Sequence, residues 1–460
     1  MSETFDAIII GTGQSGPALA DRCSDEGLRV AVIERQLFGG TCVNVGCVPT
    51  KTLVASARAA FMARRGEHFG VVIDGAVSVD MKRVKQRKDE IVERSTRGVE
   101  GWMKGLENGV VFEGHARLSG PRQVVVNGDR RLEADRIFLN VGARATVPPI
   151  PGLDEVDYLT NSSMMDVDFL PEHLVVIGGS YIALEFAQMY RRFGSQVSVI
   201  ERGPRLISRE DEEISLAIRD ILEKEGVAVH CDAQVERVQK RGQGVAVHLT
   251  TTDGAAEMAG SHLLIAVGRR PNTEDLGLDE AGVATDERGF IQVDDQLRTN
   301  VEGIWAIGDC NGLSAFTHTS YNDFEIVAAN LFDDDPRRVS DRIVCYGLFI
   351  DPPLGRIGMT EAQVRESGRN ALVGTRAMAD VGRARERSET DGFIKIHVDA
   401  DSKEILGAAI LGLNGDEVVH SLLDVMYAGA PYTVIQRAVH IHPTVAELIP
   451  TVLGDLVPLD

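Results

Sequence analysis

Short apolar runs recur along this chain in pairs: residues 7–10 (Ala-Ile-Ile-Ile) with 30–33 (Val-Ala-Val-Ile), then residues 174–177 (Leu-Val-Val-Ile) with 197–200 (Val-Ser-Val-Ile). Each run predicts a strand. The stretch between the members of a pair predicts a helix, running through Leu19 to Cys23 in the first pair and through Glu185 to Arg191 in the second. Strand, helix and strand in this order twice over place the chain in the α/β class.

The turns between strand and helix carry chemistry. The first reads Gly11-Thr-Gly13-Gln-Ser-Gly16 and its second strand ends at Glu34. In such a turn Gly11 makes the bend and Gly13 lets the backbone approach a pyrophosphate. Gly16 allows close helix packing, the helix N-terminus offers N–H groups, and the acid accepts from a ribose hydroxyl. The second reads Gly178-Gly-Ser180-Tyr-Ile-Ala183 and ends at Glu201, so in both copies the acid follows the first glycine by 23 residues. Two dinucleotide sites are therefore predicted. Ser180 and Ala183 replace glycines in the second copy, and both are small enough to keep the close approach. Glu201 favours NADH by repelling a 2′-phosphate, while Arg202 and Arg205 pull towards NADPH; the balance favours NADH.

A third signal is the run from Thr299 to Asp309, in which a short apolar strand leads into Gly308-Asp309. An acid at the end of such a strand can hydrogen-bond a sugar-like chain such as a ribityl group. The segments around Gly142 and Gly268 are the predicted crossing points between the two nucleotide folds.

Cys42 and Cys47 lie just past the first motif, in Gly39-Gly-Thr-Cys42-Val-Asn-Val-Gly-Cys47-Val-Pro-Thr-Lys51. Residues five apart on a regular helix have Cα atoms ~8.7 Å apart, beyond the ~7 Å that a disulfide spans, so the turn must be distorted if the bond forms. Asn44 and Gly46 tolerate that distortion, and a strained, accessible disulfide suits a redox cycle. The other cysteines, 23, 231, 310 and 345, read as small buried core residues. Near the C-terminus, His440-Ile-His442-Pro-Thr-Val-Ala-Glu447 offers a base: if Pro443 starts a helix, Glu447 lies about one turn on and takes the Nδ1–H of His442. A histidine so oriented can deprotonate a thiol, with His440 and His318 as supporting groups. Lys51, one helical turn after Cys47, has Glu185 as a candidate ion-pair partner.

Composition narrows the partners. The chain has 460 residues, enough for two or three domains, and 48 basic against 69 acidic residues give a net charge of −21. That balance argues against nucleic acid or an anionic membrane surface. The acidic N-terminus leads straight into a strand, and no apolar stretch approaches the ~18–20 residues of a spanning helix, so the expected address is the cytoplasm. Six cysteines in so long a chain are no secreted disulfide framework.

These motifs together resemble the class I flavoprotein disulfide reductases, which include dihydrolipoamide dehydrogenase, glutathione reductase and mercuric reductase. The resemblance covers essentially the whole chain. It implies an FAD-binding domain at 1–150 and 273–340, an NAD(P)-binding domain at 151–272 and an α+β interface domain at 341–460 that makes a homodimer. It implies Cys47 as the thiol against the flavin and Cys42 as the thiol that meets substrate. His442 with Glu447 would move the proton, Lys51 with Glu185 would lie near the flavin, and Tyr181 would be an aromatic gate or an apolar core residue. Residues 43–51, Ser180, the Phe316-Thr-His-Thr-Ser320 segment and the run from Asp351 to Gly358 look most like the mercuric-reductase branch. Yet no cysteine follows Cys345, whereas the His442–Glu447 end resembles dihydrolipoamide dehydrogenases. The resemblance therefore implies an NAD(P)H:disulfide oxidoreductase acting on a disulfide such as lipoamide, with no metal cofactor. The alternatives are a reductase of Hg(II) or Cu(II) presented as a metal–thiol complex, and a structural flavoprotein in a larger complex.

Overall fold

The computed structural model describes residues 2–459. The paired apolar runs form the centres of two parallel sheets. In the first, the strands Gly109–Glu113, Val30–Glu34, Glu3–Ile10, Arg130–Leu139 and Ile304–Ala306 run parallel side by side, with an antiparallel edge of Gln123–Val126 and Ala116–Gly120. In the second, Val227–His230, Gln196–Ile200, His173–Ile177 and His262–Ile265 are all parallel. Ala7 lies opposite Val30 and Leu174 opposite Val197, the same offset in both copies. Residues 7–9 and 174–176 are wholly buried because each sheet is covered on both faces, by helices on one and by an antiparallel meander on the other, which is why these strands read as unbroken apolar runs. The helices after the glycine turns span Gly16–Asp25 and Tyr181–Phe193.

The connections Ala143–Ala145 and Arg269–Pro271 pair antiparallel with each other, so the chain leaves one sheet and returns to it along a common two-stranded link. A third sheet of six strands, all antiparallel, is built from Cys345–Leu348, Leu354–Gly358, Ile405–Leu411, Phe393–Asp399, Ala371–Ala377 and Val457–Pro458. Among the described residues no helix is long and apolar enough to cross a membrane.

One buried ionic cluster ties the helix Cys47–Arg64 to the helix Tyr181–Phe193 and to two loops of the C-terminal sheet. Asp351 accepts from Arg192 and from Arg58, each at 2.5 Å, and Arg192 also holds Glu225 at 2.7 Å while Arg58 reaches Glu389 at 2.8 Å. Burial opposes the charge on Asp351, but Arg192 and Arg58 outweigh it and hold the carboxyl below its ordinary range. Removing one partner of such a cluster leaves an uncompensated buried charge, which costs about 3–5 kcal/mol. Asp351→Ala is therefore expected to lower the thermal midpoint of the protein by several degrees more than Glu389→Ala, measured by differential scanning fluorimetry. Equal midpoints for the two variants would remove Asp351 from that role.

Candidate active site

After the strand Val30–Glu34 two consecutive helices set the cysteines. Cys42 sits in the helix Gly40–Asn44 and Cys47 opens the next helix, Cys47–Arg64. Between them the backbone leaves helical geometry at Val45 (φ −140°, ψ 14°) and Gly46 (φ −127°, ψ −116°). The predicted distortion is thus a full break between two helices. A side chain on Gly46 would put its Cβ 2.8 Å from the Thr41 carbonyl oxygen, so only glycine allows the two turns to close on each other. Asn44 secures the break by donating to the carbonyls of Phe38 and Gly40, both at 2.9 Å.

Both cysteines are free thiols here, and their surroundings divide the charge unequally. Cys47 accepts a hydrogen bond from the Cys42 thiol and a further contact of 3.0 Å from Thr317 Oγ1, and Lys51 adds a positive charge. Together these outweigh burial and bring its pKa down to about 6. Cys42 moves the other way, raised by its bond to Cys47 and by burial. The pair therefore loses its first proton near 6 and keeps its second far above the ordinary thiol range. In the reduced protein the thiolate should titrate at about 6, well below 9.0, the usual thiol value, and Thr317→Val should move that midpoint upward. Thiolate ultraviolet absorbance against pH checks this; a midpoint near 9.0 in the parent protein would contradict it.

Cys42 and Cys47 open into a cavity of ≈770 Å³. Its wall carries Gly11, Gly13, Glu34, Lys51, Gly142, Tyr181, Glu185 and Asp309, so the structure gathers these sequence-predicted residues in one place. Gly16, Gly308, Gly178, Ser180, Glu201 and Gly268 stand outside that wall. Gly16 and Gly308 support it from behind: Gly16 N–H donates to Asn140 Oδ1 at 3.1 Å, and a Cβ on Gly308 would lie 2.8 Å from Ser320 Oγ. Gly178, Ser180 and Glu201 form the turn of the second sheet. There Glu201 accepts from the N–H groups of Gly179 and Gly203, both at 2.7 Å. Glu34 does the same in the first copy, accepting from Thr12 N–H at 2.9 Å and Thr12 Oγ1 at 2.6 Å, so the repeat extends to its hydrogen bonds.

Lys51 Nζ lies 2.8 and 2.7 Å from the two carboxylate oxygens of Glu185, and its ammonium stands 4.4 Å over the Phe349 ring. Glu185 is further fixed by the Phe349 N–H at 3.1 Å. Asp309 faces Arg269 at 3.2 Å, yet its burial still raises its carboxyl above the ordinary range.

His442 and Glu447 meet as predicted, with Nδ1 2.9 Å from Glu447 Oε2, but by a different backbone. Pro443 does not start a helix. The chain turns through Thr444, whose hydroxyl donates to Ile441 O at 2.7 Å and accepts the Glu447 N–H at 3.2 Å, and the regular helix begins only at Ile449. This pair stands apart from the chain's own cavity, and the His442 side chain is 79 % exposed.

Cys23 and Cys310 are buried core residues, but Cys231 and Cys345 are only partly buried, and Cys345 belongs to the cavity wall because the edge strand of the C-terminal sheet forms that side. His318 likewise lies in the wall, with Nε2 2.7 Å from Cys345 O, while His440 is exposed and contacts Ala438 O at 3.3 Å. No signal in the sequence marks Tyr346 and Arg356, which join Tyr181 on the cavity wall, or Glu210, which bonds all three from behind it; they are far apart in the chain and no local motif links them.

The cavity fits a dinucleotide carrying a flavin. A Cβ on Gly13 would lie 2.8 Å from Asn140 Oδ1, so only glycine lets the turn pack on Asn140 at the cavity wall. The walls pass from that turn and Glu34, an adenosine-type end, to the dithiol and Lys51 at the other.

Comparison with known proteins agrees with this geometry. Residues 5–323 match the family model described as pyridine nucleotide-disulphide oxidoreductase, and residues 344–453 match that family's dimerisation domain. A probable pyridine nucleotide-disulfide oxidoreductase, RclA of Escherichia coli K12, is 37% identical over 96% of this chain and 97% of its own. A mercuric reductase of Streptomyces lividans is 35% identical over 97% and 94%. The solved Cu(II) complex of the HOCl-induced flavoprotein disulfide reductase RclA of Escherichia coli superimposes with a TM-score of 0.90 at 35% identity, covering 99% of both chains. With both matched regions, the cavity and the dithiol in agreement, this chain belongs to the pyridine nucleotide-disulphide oxidoreductases, flavoenzymes that work with FAD and a pyridine nucleotide.

Proposed function

We propose that this protein is a homodimeric NADH:disulfide oxidoreductase of the cytoplasm that reduces a small organic disulfide such as lipoamide through Cys42 and Cys47. The observation that carries the reading is the divided dithiol, with a proton kept on Cys42 and a thiolate on Cys47 beside Lys51 in the cavity. Bound FAD would take hydride from the nicotinamide and supply the electron pair that keeps the cysteines reduced.

The residues then have separate tasks. Cys42, once deprotonated, attacks one sulfur of the substrate disulfide; the other sulfur leaves as a thiolate and takes the proton. The Cys47 thiolate attacks the Cys42 sulfur of the mixed disulfide, the second substrate sulfur leaves as a thiolate that takes a proton from solvent, and a Cys42–Cys47 disulfide remains. His442, oriented by Glu447, accepts the Cys42 proton and returns it to the leaving thiol. Lys51, held by Glu185, offers positive charge beside the flavin's place. The exposure of His442, with Val439 fully exposed and Ile441 79 % exposed beside it, supports a homodimer in which this segment fills the partner's cavity. Glu201 supports NADH, because its carboxylate, fixed by two backbone N–H groups, stands where a 2′-phosphate would be repelled.

A second reading is reduction of Cu(II) or Hg(II) delivered as a thiol complex to the same two cysteines. It is favoured by the relatives named as a mercuric reductase and as a Cu(II) complex. The deciding experiment follows NADH and NADPH oxidation by the yellow holoprotein with lipoamide, and separately with Cu(II) or Hg(II) in excess thiol. Rapid lipoamide turnover with NADH is expected; metal turnover with negligible lipoamide turnover would replace the first reading by the second.

A further inference from the structure

Three aromatic rings from three distant segments stand together on the cavity wall. Tyr181 directly follows Ser180 of the second glycine turn, Phe316 precedes Thr317, and Tyr346 lies on the strand Cys345–Leu348 of the C-terminal sheet. Phe316 and Tyr346 stack with centroids 5.3 Å apart, and Tyr181 meets them edge-on at 6.2 and 5.7 Å. Both phenols reach the same oxygen, Oε1 of Glu210, Tyr346 at 2.7 Å and Tyr181 at 3.3 Å.

Glu210 itself cannot move. Its Oε2 accepts from Arg356 Nε at 2.9 Å and Nη2 at 2.6 Å, Arg356 also holds Asp211 at 2.6 Å, and Glu210 and Arg356 are almost wholly buried. A charge-assisted pair of this kind is strong and fixes its geometry. The carboxylate is therefore a stationary acceptor presented to two phenols, one well bonded and one poorly.

Tyr181, with Ile182 beside it, belongs both to the second glycine motif and to the cavity wall. On the pyridine-nucleotide reading of that turn, the Tyr181 ring lies between the place of the phosphates and the cavity. The Phe316–Tyr346 stack can stay in place while Tyr181 moves, and the polar anchor that opposes its motion, beside the edge contacts and its packing on the core, is the long 3.3 Å bond.

We propose that Glu210, clamped by Arg356, is a shared latch for which Tyr346 and Tyr181 compete, and that this competition sets how readily Tyr181 opens the cavity to the nicotinamide. The proposal rests on the pyridine-nucleotide reading of residues 178–183. Glu210, Arg356 and Tyr346 are positioning residues in it, since they act on the nicotinamide only through the Tyr181 ring. A closed state that must open before binding raises the apparent dissociation constant by the reciprocal of the open fraction.

The test removes one hydroxyl at a time from the holoprotein and keeps both rings. KM for NADH and kcat are measured separately, together with the concentration dependence of flavin reduction in stopped flow. Tyr181→Phe removes the latch bond and should lower KM for NADH about threefold to fivefold, the worth of one modest hydrogen bond. Tyr346→Phe leaves Oε1 to Tyr181 alone, strengthens the closed state and should raise KM about twofold or more. A merely structural role for either hydroxyl would not move KM in opposite directions. KM shifts of the same sign, or none, with NADH still reducing the flavin, would overturn the latch alone. Failure of both NADH and NADPH to reduce the flavin of the unaltered protein would overturn the nucleotide reading, and the latch with it.

Discussion

Cys42→Ser is expected to abolish disulfide turnover while transfer of electrons from NADH to an artificial dye continues. A serine hydroxyl in place of the Cys42 thiol cannot form the mixed disulfide, and loss of a covalent nucleophile costs on the order of 10⁴–10⁶ in kcat. The dye reaction asks only for a reducible flavin. The substitution leaves the flavin's surroundings nearly intact, because a serine hydroxyl can still donate to Cys47, whose largest stabiliser is the hydrogen bond from residue 42. Thr317 Oγ1 at 3.0 Å and the charge of Lys51 also remain. Cys47→Ser should instead remove the low-pKa thiolate together with disulfide turnover. Steady-state assays with lipoamide and with a dye at equal flavin content separate the two activities. Equal loss of both in Cys42→Ser would mean that Cys42 supports the flavin site rather than meeting substrate.

What the chain shows in sequence and what it hides follow from the range of the interactions involved. The paired strands and glycine turns are local: a buried parallel strand must be apolar throughout, and a turn against a strand end must lack a side chain, so each leaves its mark within a few residues. The break between Cys42 and Cys47 was legible for the same reason, since helix geometry forbids the bond otherwise. The Lys51–Glu185 pair could be named because each residue sits at a fixed offset from a recognisable motif. Glu210, Tyr346 and Arg356 have no such offset. They meet because an edge of the C-terminal sheet docks on the second parallel sheet, and that approach depends on tertiary packing that no short window records. Asp351 is hidden in the same way, between an arginine before it by 159 residues and another by 293. The turn at Pro443 shows the opposite error. Proline suits the first turn of a helix, but Thr444 satisfies the local backbone groups without one, and Glu447 still reaches His442.

His442→Ala should lower lipoamide turnover by about 10²–10⁴, the usual contribution of a positioned acid–base group. Glu447→Gln should cost less, about 10–100-fold, because it weakens one charge-assisted hydrogen bond and leaves the imidazole in place. With a thiol-bound metal as acceptor, His442→Ala should leave turnover near that of the parent, since two thiolates passing electrons to a metal need no proton returned to a leaving thiol. Equal losses with both acceptors would point to damage of the fold around residue 442 rather than a missing base. Because His442 stands outside its own chain's cavity, the geometry also predicts complementation between subunits. Alone, neither Cys42→Ser nor His442→Ala protein should exceed about a hundredth of the parent's lipoamide turnover. Co-expressed, they form mixed dimers in which one cavity pairs an intact Cys42 with an intact His442 from the other chain. By the symmetry of a twofold dimer, random mixing should restore about a quarter of the parent activity. No recovery in dimers shown by tandem affinity tags to be mixed would place the proton-transfer residue within the same chain, and the assignment of His442 would fall.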